Sequence, residues 1–203
     1  MRDEIAVAEA QGSVMTERGT GHLVLRFTDA DEAFDTVPDI GKAMIGRPAG
    51  ETSEEFIRRM QSSGTPEEAV TYAAFAMNPR EAVWWAHECL VHLNENLRTA
   101  DQEMMALVER WVREPSEETR RAALDGGMGQ EDTTPGGWLA LAAGWSGGSM
   151  APEGTPDVAP PPHLFSQAVN AALMSMLATV DWRQRSQVLN DFVEIAFSVA
   201  AKE

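Results

Sequence analysis

The sequence predicts an all-α protein, an irregular single-domain bundle of about seven to nine helices built around one central helix. Three observations predict it. The stretch from Asn78 to Leu97, NPREAVWWAHECLVHLNENL, is apolar on more than one side. Helix-start signals recur on both sides of that stretch, and two long C-terminal stretches keep apolar residues at three- and four-residue steps over several turns.

In the central stretch, Asn78 reads as a cap, Pro79 suits the first helical position, and Glu81 complements the helix dipole. Ala82, Trp85, Ala86, Cys89, Leu93 and Leu97 line one face, and Val83, Trp84, Leu90 and Val91 form a second apolar strip beside it. A helix of that kind needs cover from two directions, so Trp84, Trp85 and Trp111 are expected in the structural core.

Residues 1–21 are polar and aperiodic and read as a mobile tail, leaving residues 22–203 as the helical domain. His22 to Phe27, HLVLRF, reads as an extended segment or an edge strand. Short helices follow around Ala30 to Thr36 and Asp39 to Ile45. Ser53 is expected to cap a helix carrying Phe56, Ile57 and Met60. Thr65-Pro66-Glu67-Glu68 has the form of a capping box, and the short Asn78-Pro79 break leaves the next two helices side by side or sharply bent. Thr99 with Gln102 repeats the capping pattern ahead of Met104, Leu107, Val108 and Trp111. SEETRRAAL makes a short helix ending at the Asp125-Gly-Gly-Met-Gly turn, and Thr134-Pro135 opens GGWLALAAGW, which is apolar all round and should be buried.

From Ser146 to Pro162 the composition changes to SGGSMAPEGTPDVAPPP, an exposed loop that forms neither helix nor central strand. A loop that long inside a folded domain tends to be functional. Beyond it, Phe165 to Val180 and Val188 to Val199 are expected to form a helical hairpin joined around Asp181 to Ser186.

Composition excludes some functions. With 32 acidic against 16 basic side chains the formal charge is −16, which opposes nucleic acid and anionic membrane alike and leaves a basic protein surface open as a partner. No stretch reaches the roughly 18 uninterrupted apolar residues of a membrane span, and the first residues, MRDEIAVAEAQ, lack a basic start followed by an apolar run, so a cytoplasmic protein is expected. The single cysteine, Cys89, falls on the Trp85 face and reads as a small apolar residue.

No motif for chemistry survives its context. Gly144-Trp145-Ser146-Gly147-Gly148 has the letters of a serine-hydrolase elbow, with Asp157 and His163 as the nearby acid and base. A helix-like run precedes Ser146, however, where that elbow requires a strand. His87-Glu88 and His92 resemble a zinc-protease pattern, but histidines five residues apart on a helix face different ways. No cofactor or metal is expected. Six tryptophans, five of them in the middle of the chain, leave room for some at the rim of the bundle, where a hydrophobic partner can use them.

The segments TPEEAVTYAAFAMNPREAVWWAHECL and PGGWLALAAGWSGGSMAPEGTPDVAPPPHLFSQAVNAALM resemble an uncharacterised family of bacterial helical proteins found with type VI secretion genes. The resemblance implies a bacterial cytoplasmic accessory or scaffold protein with no established activity. The expectation is therefore a non-enzymatic protein making protein–protein contacts, with a secretion-system component as the implied partner. The contact residues expected are Trp138, Trp145, Ser146, Gly147, Gly148, Ser149, Met150 and His163. The alternatives are a serine hydrolase using Ser146 and a small-ligand-binding module with an apolar pocket between the Trp-bearing helices.

Overall fold

A computed structural model describes residues 23–201, and among these the chain is all-α, with ten α-helices, one short 3₁₀ turn and no named strand. The helices are α1 (Ala30–Thr36), α2 (Ile40–Ala43), α3 (Ser53–Gln61), α4 (Glu67–Ala76) and α5 (Pro79–His92), then, after the turn Asn94–Asn96, α6 (Thr99–Arg113). The C-terminal half supplies α7 (Glu117–Met128), α8 (Pro135–Gly144), α9 (Leu164–Ala178) and α10 (Arg185–Ala200). The tail expected over 1–21, like His22, lies outside the described residues.

The extended reading of HLVLRF holds from Leu23 onward. Val24 N donates to Ala200 O at 2.7 Å and Arg26 N to Ala76 O at 2.7 Å, so the segment is strapped across the ends of α10 and α4 without becoming a strand. Its Phe27 is buried.

α5 occupies the centre, as its double apolar face requires, packed against α6, α8, α9 and α10. Ala82, Val83, Trp85, Ala86, Cys89 and Leu90 are buried. Trp85 meets its polar obligation within the core, its indole N–H donating to Phe192 O of α10 at 2.7 Å. Pro79 opens the helix as expected, but the Asn78 side chain makes no capping bond. α4 is buried from Ala69 to Ala76, and the extended Met77 and Asn78 separate it from α5, beside which it does not lie.

Several boundaries differ from the sequence reading because tertiary partners claim the side chains. Thr52, not Ser53, caps α3 in a reciprocal pair with Glu55, since the Ser53 hydroxyl is buried and bonded to the Tyr72 phenol at 2.7 Å. Glu68 does not serve Thr65. Its carboxylate instead accepts Ile45 N at 2.8 Å and Gly46 N at 2.9 Å, tying the loop after α2 to α4. At α6 the helix includes Thr99, and the buried Asp101 carboxylate accepts Arg98 N at 3.0 Å and Gly136 N at 2.8 Å, so one side chain caps the starts of both α6 and α8.

α7 runs through the expected Asp125 turn to Met128. Close packing on α8 explains it: a Cβ at Gly127 would sit 3.0 Å from Leu141 N, and one at Gly144 would sit 2.8 Å from the Leu124 Cα, so only glycine lets these two backbones approach. The expected α9–α10 hairpin is not formed either. The two helices barely touch, because α9 lays its apolar face chiefly on α8 and then on α5 and α4, and α10 lays its own on α5 and α4.

Candidate functional site

The side of α5 left uncovered lies between α6 and α10. Along it run Glu81, Trp84, Glu88 and Val91, spaced three and four residues apart and therefore in one strip. Trp84 is 45% exposed and Val91 44%. This corrects the expectation that Trp84 belongs to the core with Trp85 and Trp111, which are buried. Adjacent residues on a helix point about 100° apart, and the helices that enclose Trp85 do not reach round to its neighbour.

Trp84 stands as a ridge between two clefts. The first, of about 470 Å³, lies between α5 and α6 and is lined by Arg80, Glu81, His87, Glu109 and Arg113 among others. Its rim is largely satisfied: Arg80 donates to Val112 O at 2.9 and 2.7 Å, Arg113 pairs with Glu109 at 2.6 Å, and His87 Nδ1 meets Glu88 Oε1 at 3.1 Å. Glu81 has no hydrogen-bond or ion-pair partner among the described residues. Six of the eight lining residues are ionisable, and Trp84 and Val112 supply an apolar part.

The second cleft, of about 450 Å³, lies on the other flank of Trp84 between α5 and α10, with Glu88, Val91, His92, Ile195 and Val199 around it. A third, of about 290 Å³, continues the same seam between Leu93, Asn96, Asp181, Gln184 and Val188. α5 and α10 run antiparallel here, since Trp84 faces Val199 while Leu93 faces Val188. Between the two clefts His92 Nε2 meets Asp191 Oδ2 at 3.2 Å, and Gln187 donates to the other Asp191 oxygen at 2.8 Å.

The residues singled out around the long loop sit elsewhere. Trp138 and Trp145 are half-buried against the core. The Ser146 hydroxyl donates to Ala143 O at 2.7 Å, an ordinary helix-end contact. Gly147 lies in the turn, and Gly148 adopts φ +63° beside the Arg120 guanidinium. Ser149 is buried, its Oγ accepting Ala151 N at 3.1 Å and Val158 N at 3.0 Å, while Met150 N donates to Val158 O at 2.8 Å. Arg120, buried in α7, bonds Ser149 O at 2.9 Å, Gly144 O and the Glu117 carboxylate, and Arg121 bonds Ala151 O at 2.6 Å. The loop is thus fastened at its stem and exposed at its tip. His163 is separate from this group and pairs with Asp39 at 3.2 Å. Neither it nor Asp157 completes a triad with Ser146.

Cys89 is fully buried, and burial pushes its thiol well above the ordinary range. Among the described residues no three His, Cys, Asp or Glu side chains gather as a metal set, and no helix is long and apolar enough to cross a membrane.

These features define an all-helical bundle that carries a tryptophan ridge and a long seam on its surface. Residues 56–200 match the family of unknown function DUF6931, and the chain belongs to that family. The match spans α5, α6, α10 and all three clefts. No curated protein and no solved structure matches the chain.

Proposed function

We propose that the protein is a non-enzymatic helical module that binds another protein at the Trp84 ridge. The observation that carries this reading is Trp84 itself: a large aromatic side chain in the middle of the central helix, 45% exposed, between clefts of about 470 and 450 Å³. Tryptophan is among the residues most enriched at the energetic hot spots of protein interfaces, because the ring supplies a large apolar area and its N–H a directed bond. Trp84 Nε1 has no acceptor among the described residues, which leaves that bond for a partner.

The reading places the contact on α5 rather than on the Ser146–Pro162 loop, whose stem is occupied by Arg120 and Arg121. A cytoplasmic accessory role in bacterial type VI secretion belongs to the same proposal. Its support is the resemblance of the two segments around Trp84-Trp85 and Trp145-Ser146.

Comparative pull-down tests the site, using wild-type bait, Trp84→Ala bait, and bait with residues 152–157 replaced by glycine and serine. Loss of a specific protein with Trp84→Ala but not with the altered loop is expected. Undiminished recovery by Trp84→Ala overturns the site.

A further inference from the structure

We infer that the α5–α10 seam receives an amphipathic, basic α-helix of a partner protein, an inference that rests on the reading of Trp84 as a contact residue. Three features point to that occupant. The first is shape. Two antiparallel helices flank the seam from Trp84 and Val199 at one end to Leu93 and Val188 at the other, and the run from Gln187 to Val199 covers about 18 Å at the helical rise, enough for three turns of a third helix.

The second is backbone chemistry. From Trp84 and Val199 to His92 and Gln187 both walls are helices whose amides and carbonyls are bonded internally, so that stretch offers an extended peptide no ladder to join; only at the far end do the 3₁₀ turn at Asn96 and the link at Asp181 and Gln184 take over. A helix brings its own backbone bonds and presents only side chains, which suits the apolar lining that Val91, Ile195 and Val188 form beside the Trp84 ridge.

The third is charge. Of the side chains lining the two clefts along this seam, the ionisable ones are Glu88, His92 and Asp181, with no lysine or arginine among them. Asp191 lies between, bonded to His92 and Gln187; Glu88 meets His87 at 3.1 Å, and Asp181 faces Arg183 at 3.9 Å in an exposed pair that solvent screens and a partner's cation can replace. Lysine or arginine flanking an apolar stripe on the partner would meet these carboxylates, and the formal charge of −16 draws a basic partner in from a distance. The same charge argues against a second copy of this chain, which would bring Glu88 and Asp181 against like groups.

The test is selection from a display library of helix-forming peptides of about 14 residues, followed by titration of the enriched peptides against the full chain and its variants. Enrichment of peptides with lysine or arginine beside an apolar stripe is expected, with binding weakened at least about tenfold by Trp84→Ala and by Glu88→Lys. Enriched peptides that lose binding with Trp84→Ala yet carry no basic bias and ignore Glu88→Lys would overturn the basic-helix inference while leaving the Trp84 site standing. Enriched peptides indifferent to both variants, or a library yielding none, would overturn both. Self-association of the chain that Trp84→Ala abolishes would also overturn the inference, because a second copy would then fill the seam. Circular dichroism and Val199→Ser provide the control for folding: a variant that keeps its helicity and weakens binding supports the seam, and one that keeps helicity and full binding counts against it.

Discussion

Trp84 and Trp85 are neighbours in the chain with opposite surroundings: Trp85 is fully buried and bonded through its indole to Phe192 O at 2.7 Å, whereas Trp84 is 45% exposed. The pair sets a core position beside an exposed one within two residues. Trp85→Ala is expected to cost about 4 kcal/mol, from the lost burial and the cavity left behind. Trp84→Ala is expected to cost about 1 kcal/mol or less, as for other partly exposed positions. Urea unfolding of the two variants measures both values.

The phenol of Tyr72, the single tyrosine of the chain, is buried beside Phe34 and Phe56, and burial pushes it up to about 12 despite its bond to Ser53. A folded-state value raised above the unfolded one means the neutral form is held more tightly in the native protein. Its contribution is therefore fully present below about pH 10 and is lost as pH rises from there to about 12, an effect of about 3 kcal/mol. Phenolate absorbance should appear only together with unfolding. An ordinary titration near pH 10 in the native state would contradict the buried phenol.

Arg120 holds the stem of the long loop through Gly144 O and Ser149 O. Arg120→Met is expected to destabilise the protein by about 2 kcal/mol, chiefly because two buried carbonyls lose their donors. The exposed Glu117 carboxylate is resolvated and adds little. Hydrogen exchange at the Met150 and Val158 amides should accelerate in this variant before exchange in α5 does.

Asp101 caps two helices that are far apart in the chain, so its loss should be felt at both. Asp101→Ala is expected to cost about 3 kcal/mol, near the sum of two caps, one of them buried. Faster exchange at Gly136 as well as at the start of α6 would separate this double role from a single cap.

The Cys89 thiol should resist alkylation in the native state and react at a rate set by opening of the bundle. Rapid labelling of the folded protein would place Cys89 outside the core.

The fold was legible where one helix decided its own burial. The Trp85 face of α5, the apolar faces of α9 and α10, the prolines at 79 and 135, and the all-round apolarity of α8 needed no knowledge of neighbours, whereas the second strip of α5 is half open at Trp84 and Val91. Illegible were the features that two distant segments settle together. Ser53 is claimed by Tyr72, Glu68 by Ile45 and Gly46, and Asp101 by Gly136, and none of these pairings has a local signature. The glycines of α7 read as a turn because their purpose is the approach of α8. Of the three tryptophans expected in the core, Trp85 and Trp111 are buried and Trp84 is 45% exposed. A signal was present in Glu81 and Glu88, which share the Trp84 face and mark a strip that the bundle does not close.

In-cell photo-crosslinking tests the central claim most directly. A benzophenone amino acid replaces Trp84 in one version of the protein and Met150 of the loop in another. A discrete protein adduct from position 84, mapping to a helical segment of the captured protein, is the result the account predicts. An adduct from position 150 with none from position 84 would contradict it and move the contact surface to the loop.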